Sequence, residues 1–391
     1  MPDLGELSRG VPSRSIVKSD PAKSDGVKGD GAKGDPGKTD PTKTASARKT
    51  TEGGLFEQLT ARVVGQAHAM EQIVPYVQMH QARLAPEGRP AGVFLLLGPT
   101  GTGKTRTVEA LADVLHGSEK QLLRVDCGEF QMEHEVAKLI GAPPGYLGHR
   151  ETPPMLTQNK LNGVASERCD LALVLFDEIE KAAPSVTRLL LGVLDKAALR
   201  LGDNTTVNFE RTLIFLTSNV GARELRKELE PDFGFEAMAP APSAGHAAKL
   251  DRIGAGAVRR RFPPEFMNRI DAVITYRPLG SAEMVEILEQ QLEALDRHIG
   301  KRLGARAFSL EVDASAREFL LAEGTSSEYG ARELKRTILR SLTQPLAALL
   351  ANEGIEPGMT VRATFPAEET AAPKPKSSKL TLIVKLQNDE P

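Results

Sequence analysis

Eight residues constrain this chain more than any others: Gly98-Pro99-Thr100-Gly101-Thr102-Gly103-Lys104-Thr105, preceded by the apolar run Val93 to Leu97 and followed by a helix-compatible stretch from Arg106 to Leu115. Glycines at this spacing let the backbone curl so that its N–H groups point inward. The start of the following helix adds the positive end of its dipole, Lys104 reaches the β- and γ-phosphates of a nucleotide, and Thr105 is placed to ligate Mg²⁺. Each part answers negative charge. A plain glycine-rich turn is the bland reading, and the strand before and helix after weigh against it, because a phosphate-binding P-loop requires both.

A strand that ends in such a loop belongs to a parallel sheet, and the rest of the first half reads accordingly. Apolar runs at Val93 to Leu97, Leu122 to Asp126, Leu171 to Phe176, Leu213 to Thr217 and Ala272 to Tyr276 alternate with helix-like stretches. That is the α/β pattern of a five-stranded parallel sheet covered by helices on both faces. The third run ends in Asp177-Glu178, which puts two carboxylates at the carboxyl edge of the sheet beside the phosphate loop. There Asp177 would hold Mg²⁺ through its water shell and Glu178 would orient or deprotonate an attacking water. Alone, the pair could be a solvated strand end; beside a P-loop the catalytic reading is favoured. The next run ends Thr217-Ser218-Asn219, where the Asn219 amide either positions the hydrolytic water against the γ-phosphate or caps a turn.

Four regions follow from the change of texture along the chain. Residues 1–54 contain a five-residue repeat from Lys18 to Thr42 with almost nothing apolar to bury, which predicts a disordered spacer or partner-docking tail. Residues 55–277 form the nucleotide-binding α/β domain. Residues 278–365 switch to helical periodicity at Ala282 to Arg297, Ala314 to Glu323 and Ala331 to Asn352, ending in a strand-like Met359 to Phe365. They predict a small, mostly helical lid. Residues 366–391 are a Pro/Ala/Lys linker followed by alternating Leu380, Leu382, Val384 and Leu386, a possible extra strand pairing with Met359 to Phe365.

Charge narrows the partners. With 50 Lys+Arg against 52 Asp+Glu the chain has no basic excess to draw it to nucleic acid or anionic lipid. Cys127 and Cys169 stand apart with no metal-ligand spacing, and no apolar run nears the ~20 residues that span a bilayer, so a soluble, unexported, cytoplasmic protein is expected.

These residues together resemble the AAA+ ATPases, and within them the second ATPase module of the Clp-type unfoldases. The resemblance covers roughly Leu55 to Phe365. It is carried by Val64-Gly65-Gln66, by Gly141 to Gly148, by Phe176 to Ala182, by Thr217-Ser218-Asn219, by Pro264 to Asp271 and by Gly330 to Arg336. It implies ATP with Mg²⁺ as the ligand and ATP hydrolysis as the reaction. Val63, Val64 and Gly65 would lie against adenine, Arg269 would enter a neighbouring subunit's site as an arginine finger, and Arg332 would touch the γ-phosphate from the lid. A finger supplied in trans implies a homo-oligomeric ring, by analogy a hexamer. Gly145-Tyr146-Leu147-Gly148 is similar to the family's substrate-gripping pore loop, in which Tyr146 would hold an extended polypeptide. His149 to Pro154 and Leu199 to Asn204 depart from the family pattern. Phe233-Gly234-Phe235 stands where protease-coupled relatives dock a peptidase ring; a self-anchoring loop is the alternative. The expected function is a ring-forming unfoldase or remodelling chaperone. An ATP-dependent switch that changes partners without threading anything is the alternative.

Overall fold

The computed structural model describes residues 53–142, 153–222, 224–225, 244–326, 330–352, 355–365 and 380–385. The expectations placed on the pentapeptide repeat, on Gly145 to Gly148, on Phe233-Gly234-Phe235 and on the linker 366–379 lie outside the described residues.

In chain order the strands are β1 (Gly92–Leu97), β2 (Leu123–Asp126), β3 (Ala172–Asp177), β4 (Ala198–Arg200), β5 (Thr206–Asn208), β6 (Thr212–Ser218), β7 (Ala272–Thr275), β8 (Ser309–Val312), β9 (Thr360–Thr364) and β10 (Thr381–Lys385). Five of them form one parallel sheet in the order β2-β3-β6-β1-β7. Every residue of β1 and β6 is buried, as strands covered on both faces require. Their side chains divide by alternation. Val93, Leu95 and Leu97 join Val174, Phe176, Ile214 and Leu216 in one core, while Phe94 and Leu96 join Leu173, Leu175, Leu213 and Phe215 in the other.

The helices of this domain are α1 (Leu55–Thr60), α2 (Ala67–Gln81), α3 (Lys104–His116), α4 (Val136–Ile140), α5 (Gln158–Val164), α6 (Pro184–Lys196), α7 (Ala244–Arg261) and α8 (Pro264–Met267). Met70, Ile73 and Val77 of α2 and Val108, Leu111 and Leu115 of α3 close the second core, which the stacked Phe94 and Phe215 rings fill at 5.2 Å between centroids. Val186, Leu190 and Val193 of α6 close the first. Cys127, directly after β2, is fully buried there, and burial drives its thiol far up from the ordinary range.

The lid consists of α9 (Ser281–Leu303), α10 (Ala314–Gly324), α11 (Ala331–Ile338) and α12 (Gln344–Ala351) with a sheet in the order β10-β9-β8. Met284, Leu288, Leu320, Leu334, Leu342 and Val361 form its separate core. The extra strand expected after Leu380 is present as β10 and runs antiparallel to β9, with Leu382 and Val384 turned toward that core. Among the described residues no helix is long and apolar enough to cross a membrane.

Three features depart from the expectation. Ala331 to Asn352 is not one α-helix: Leu339–Thr343 widens into a π turn between α11 and α12. Pro345 lies two residues beyond it, and a residue with no N–H and a bulky ring cannot continue the i→i−4 ladder, so the wider turn absorbs the mismatch. The β4–β5 hairpin and β8 were not foreseen either, since strands of three or four residues carry too little alternation to stand out.

Candidate active site

β1 delivers the chain to the P-loop at the edge of the sheet. Gly98 turns out of the strand at φ +142°, and a Cβ there would stand 2.6 Å from the Tyr276 carbonyl oxygen, so no other residue fits beside the end of β7. Tyr276 is fully buried and donates to Thr107 Oγ1 on α3 at 2.7 Å, which ties the first turn of the helix to the sheet edge. α3 begins at Lys104, so its free N–H groups open onto the loop.

Lys104 is the electrostatic centre of the site. It is buried, and its ammonium donates to Gly98 O at 2.6 Å, Pro99 O at 2.9 Å and Asn219 Oδ1 at 2.9 Å. All three acceptors are neutral dipoles. Burial pushes its pKa down to about 8, against the opposing pull of Glu180, then Asp177 and Glu178, while Arg332 adds a like charge. A cation held without a directly bonded anion is a fitting receptor for a phosphate chain.

The acidic tip of β3 lies across from it. Asp177 Oδ1 accepts from the Thr217 hydroxyl of β6, and its Oδ2 accepts from Arg124 of β2 at 2.5 Å. Thr217 Oγ1 in turn accepts the Glu178 N–H at 3.0 Å. Glu178 sits in the left-handed region, φ 57° and ψ 49°, where the chain breaks from β3 into a short 3₁₀ turn, Ile179–Lys181. Its carboxylate pairs with Lys181 at 2.5 Å and faces the Asn219 amide at 3.5 Å. Among the described residues no cluster of three His, Cys, Asp or Glu could hold a metal by itself. The Thr105 hydroxyl and the Asp177 carboxylate are oxygen donors of the kind that suits Mg²⁺.

The lid closes the other side. Ala331 N–H donates to Gly101 O at 3.3 Å, and Gly330, at φ +50°, would bring a Cβ within 3.1 Å of that same oxygen. Gln290 of α9 donates to Ala61 O at 2.9 Å. Together the two domains line a half-open cleft of about 250 Å³.

Of the residues expected from sequence, the cleft is lined by Val63, Val64, Thr100 to Thr105, Asp177, Glu178, Asn219 and Arg332. Gly98 and Pro99 contribute carbonyls from just beneath it. Gly65 turns the chain at φ +74° and lines a neighbouring hollow rather than the cleft. Arg269 is not part of this chain's cleft. It lies past α8, donating to the Glu265 carbonyl and 3.7 Å from Asp195. Sequence reasoning missed Leu279, Ile287, Gln291 and Lys335 of the lid, and Arg62, Glu109, Arg124 and Thr217 of the large domain. Ile287 and Gln291, four apart on one helix, share a face, which was the available signal.

Comparison with known proteins accords with this geometry. Residues 89–273 match the family described as AAA domain (Cdc48 subfamily), and residues 279–363 match the C-terminal, D2-small domain, of ClpB protein. Chaperone protein ClpB of Rhodopseudomonas palustris is 40% identical over 302 residues, which is 77% of this chain and 32% of that protein. The ClpB of Pseudomonas putida is 40% identical over 313 residues, 80% of this chain and 34% of that protein. A closed-state cryo-EM reconstruction of Hsp104:ATPyS and FITC casein superposes with a TM-score of 0.66 at 26% identity, covering 84% of this chain and 51% of that one. The chain thus spans about a third of the length of the curated relatives it matches.

Proposed function

Because this chain belongs to the AAA+ ATPases, joining an AAA domain to a small domain of the ClpB second module, we propose that it binds ATP between P-loop and lid and hydrolyses it to ADP and phosphate. The observation that carries this is Lys104, a buried ammonium bonded only to neutral oxygens at the start of α3. Adenine would rest against Val63 and Val64, with Gly65 shaping the turn beside them. Thr105, and Asp177 through water, would hold Mg²⁺, which would supply positive charge against the phosphates. Glu178 would take the proton of the attacking water or orient it, and Asn219 would fix that water from the neighbouring strand tip. Arg332 would contact the γ-phosphate from the lid, and Arg269 would supply a second guanidinium to the adjoining protomer.

Work on other proteins is proposed on the likeness to ClpB chaperones and to an Hsp104 structure that includes casein. A homo-oligomeric ring, by analogy a hexamer, would thread polypeptide past Tyr146, whose aromatic ring grips with little regard for sequence. The same likeness favours remodelling over a switch that threads nothing, and a cytoplasmic setting. Docking of a peptidase ring through Phe233-Gly234-Phe235 is a separate proposal, tested by co-sedimentation with a peptidase before and after substitution of both phenylalanines.

The deciding experiment is Glu178→Gln. Turnover should fall roughly 100- to 10,000-fold with ATP still bound, and the trapped complex should retain polypeptide; undiminished hydrolysis would remove Glu178 from its role. Tyr146→Ala should spare turnover and halt unfolding of a tagged substrate. Normal unfolding by that variant would end the threading idea.

A further inference from the structure

One carboxylate beside the nucleotide cleft acts on Lys104 through its charge but has no direct contact in the chemistry just described. Glu180 lies two residues past Glu178 in the 3₁₀ turn, and the left-handed backbone at Glu178 is what swings it back toward the tip of β6. There its Oε1 accepts the backbone N–H of Asn219 at 3.0 Å. Its Oε2 is shielded from solvent and has no hydrogen-bond partner. Its own backbone carbonyl accepts from the Arg261 guanidinium at the end of α7. Leaving a polar atom buried and unpaired costs about 1–3 kcal/mol, so a side chain that only filled space would be better apolar.

We propose that Glu180 is a positioning residue for hydrolysis: its carboxylate anchors the backbone of Asn219, so that the Asn219 side chain stays fixed between Lys104 and Glu178. The Asn219 side chain has two tasks at once, accepting from Lys104 at 2.9 Å and facing Glu178 at 3.5 Å. Both depend on where the backbone of residue 219 stands. Asn219 follows the last residue of β6, so no further rung of the sheet ladder holds it. The tie from Glu180 takes the place of that rung. Arg261 steadies the turn from the opposite side.

This inference rests on the ATPase reading for its effect on rate, and on geometry alone for the tie itself. Two measurements on the full chain separate them. The first is hydrogen exchange in the segment 215–221. Glu180→Ala should exchange faster there, and Glu180→Gln, which retains an oxygen acceptor, should match the parent. The second is steady-state ATP turnover. Glu180→Ala should lower kcat roughly 10- to 100-fold with little change in KM, as small misplacements of a reacting-group partner do, and Glu180→Gln should recover most of the loss. In an Asn219→Ala background Glu180→Ala should have no further effect, because it acts through that residue. A parent with no turnover but the expected exchange pattern would refute the ATPase reading and leave the tie intact. Unchanged exchange in Glu180→Ala, equal losses in both Glu180 variants, or additive losses with Asn219→Ala would overturn the proposal.

Discussion

The two ends of the cleft are built on different terms. At the phosphate end, the tips of β1, β3 and β6 hold Lys104, Asp177 and Asn219 in a mesh of short hydrogen bonds within one continuous sheet. At the lid end, the large and small domains keep separate cores and meet through the 3.3 Å bond from Ala331 to Gly101, the 2.9 Å bond from Gln290 to Ala61 and a few apolar side chains. A rigid receptor for the phosphates is thus paired with a lightly attached cover. That division suits a molecule in which the fixed half recognises the nucleotide and the adjustable half reports it.

The comparison breaks first at Lys104. Lys104→Ala removes a charge-assisted contact from the rigid end and should weaken ATP binding roughly 10- to 100-fold, read by titration with a fluorescent ATP analogue; an affinity within a factor of two of the parent would mean the mesh is not the receptor. Arg332→Ala tests the adjustable end. It should lower turnover by about 10-fold or more and bring the affinities for ATP and ADP closer together, whereas a uniform loss for both nucleotides would make the lid a clamp rather than a reporter.

A pH series sharpens the contrast further. Burial disfavours the charge of Lys104 and pushes its pKa down to about 8. Below that value the ammonium is in place for phosphate, and above it the proton must be recovered on binding, so ATP affinity should decline as pH rises beyond about 8. The same shift has the reverse sign for stability: a lysine whose folded pKa is depressed costs stability while charged, and that cost fades as pH climbs from about 8 toward the ordinary lysine value. Isothermal titration and thermal melts across pH 7 to 10 check both signs. The smallest effect belongs to Gly330→Ala. Side chains seldom tolerate its backbone geometry, so the variant should lose about 1–3 kcal/mol where the lid meets the P-loop, measurable as a lowered melting midpoint.

Much of the rigid end was legible in the chain itself. Its strands are buried on both faces, so each writes a continuous apolar run, and the loop and carboxylates follow those runs directly. The supporting contacts were not legible because they depend on which strands adjoin. Arg124 reaches Asp177 only because β2 lies next to β3, and Thr217 reaches Asp177 only because β6 lies on the other side. Glu180 returns to Asn219 through a left-handed residue that no periodicity signals. The lid was readable as helices, but its contribution to the cleft depends on docking between domains. The π turn before Pro345 shows a proline acting at a distance of several residues, where a sequence pattern suggests only an uninterrupted helix.

Glu178 carries one more implication. A glycine at this left-handed position would relieve backbone crowding worth about 1–2 kcal/mol, less what its own flexibility costs on folding. The position therefore sets durability against usefulness. An engineer who ranked variants by heat resistance alone would be steered toward deleting the side chain on which water activation is proposed to depend.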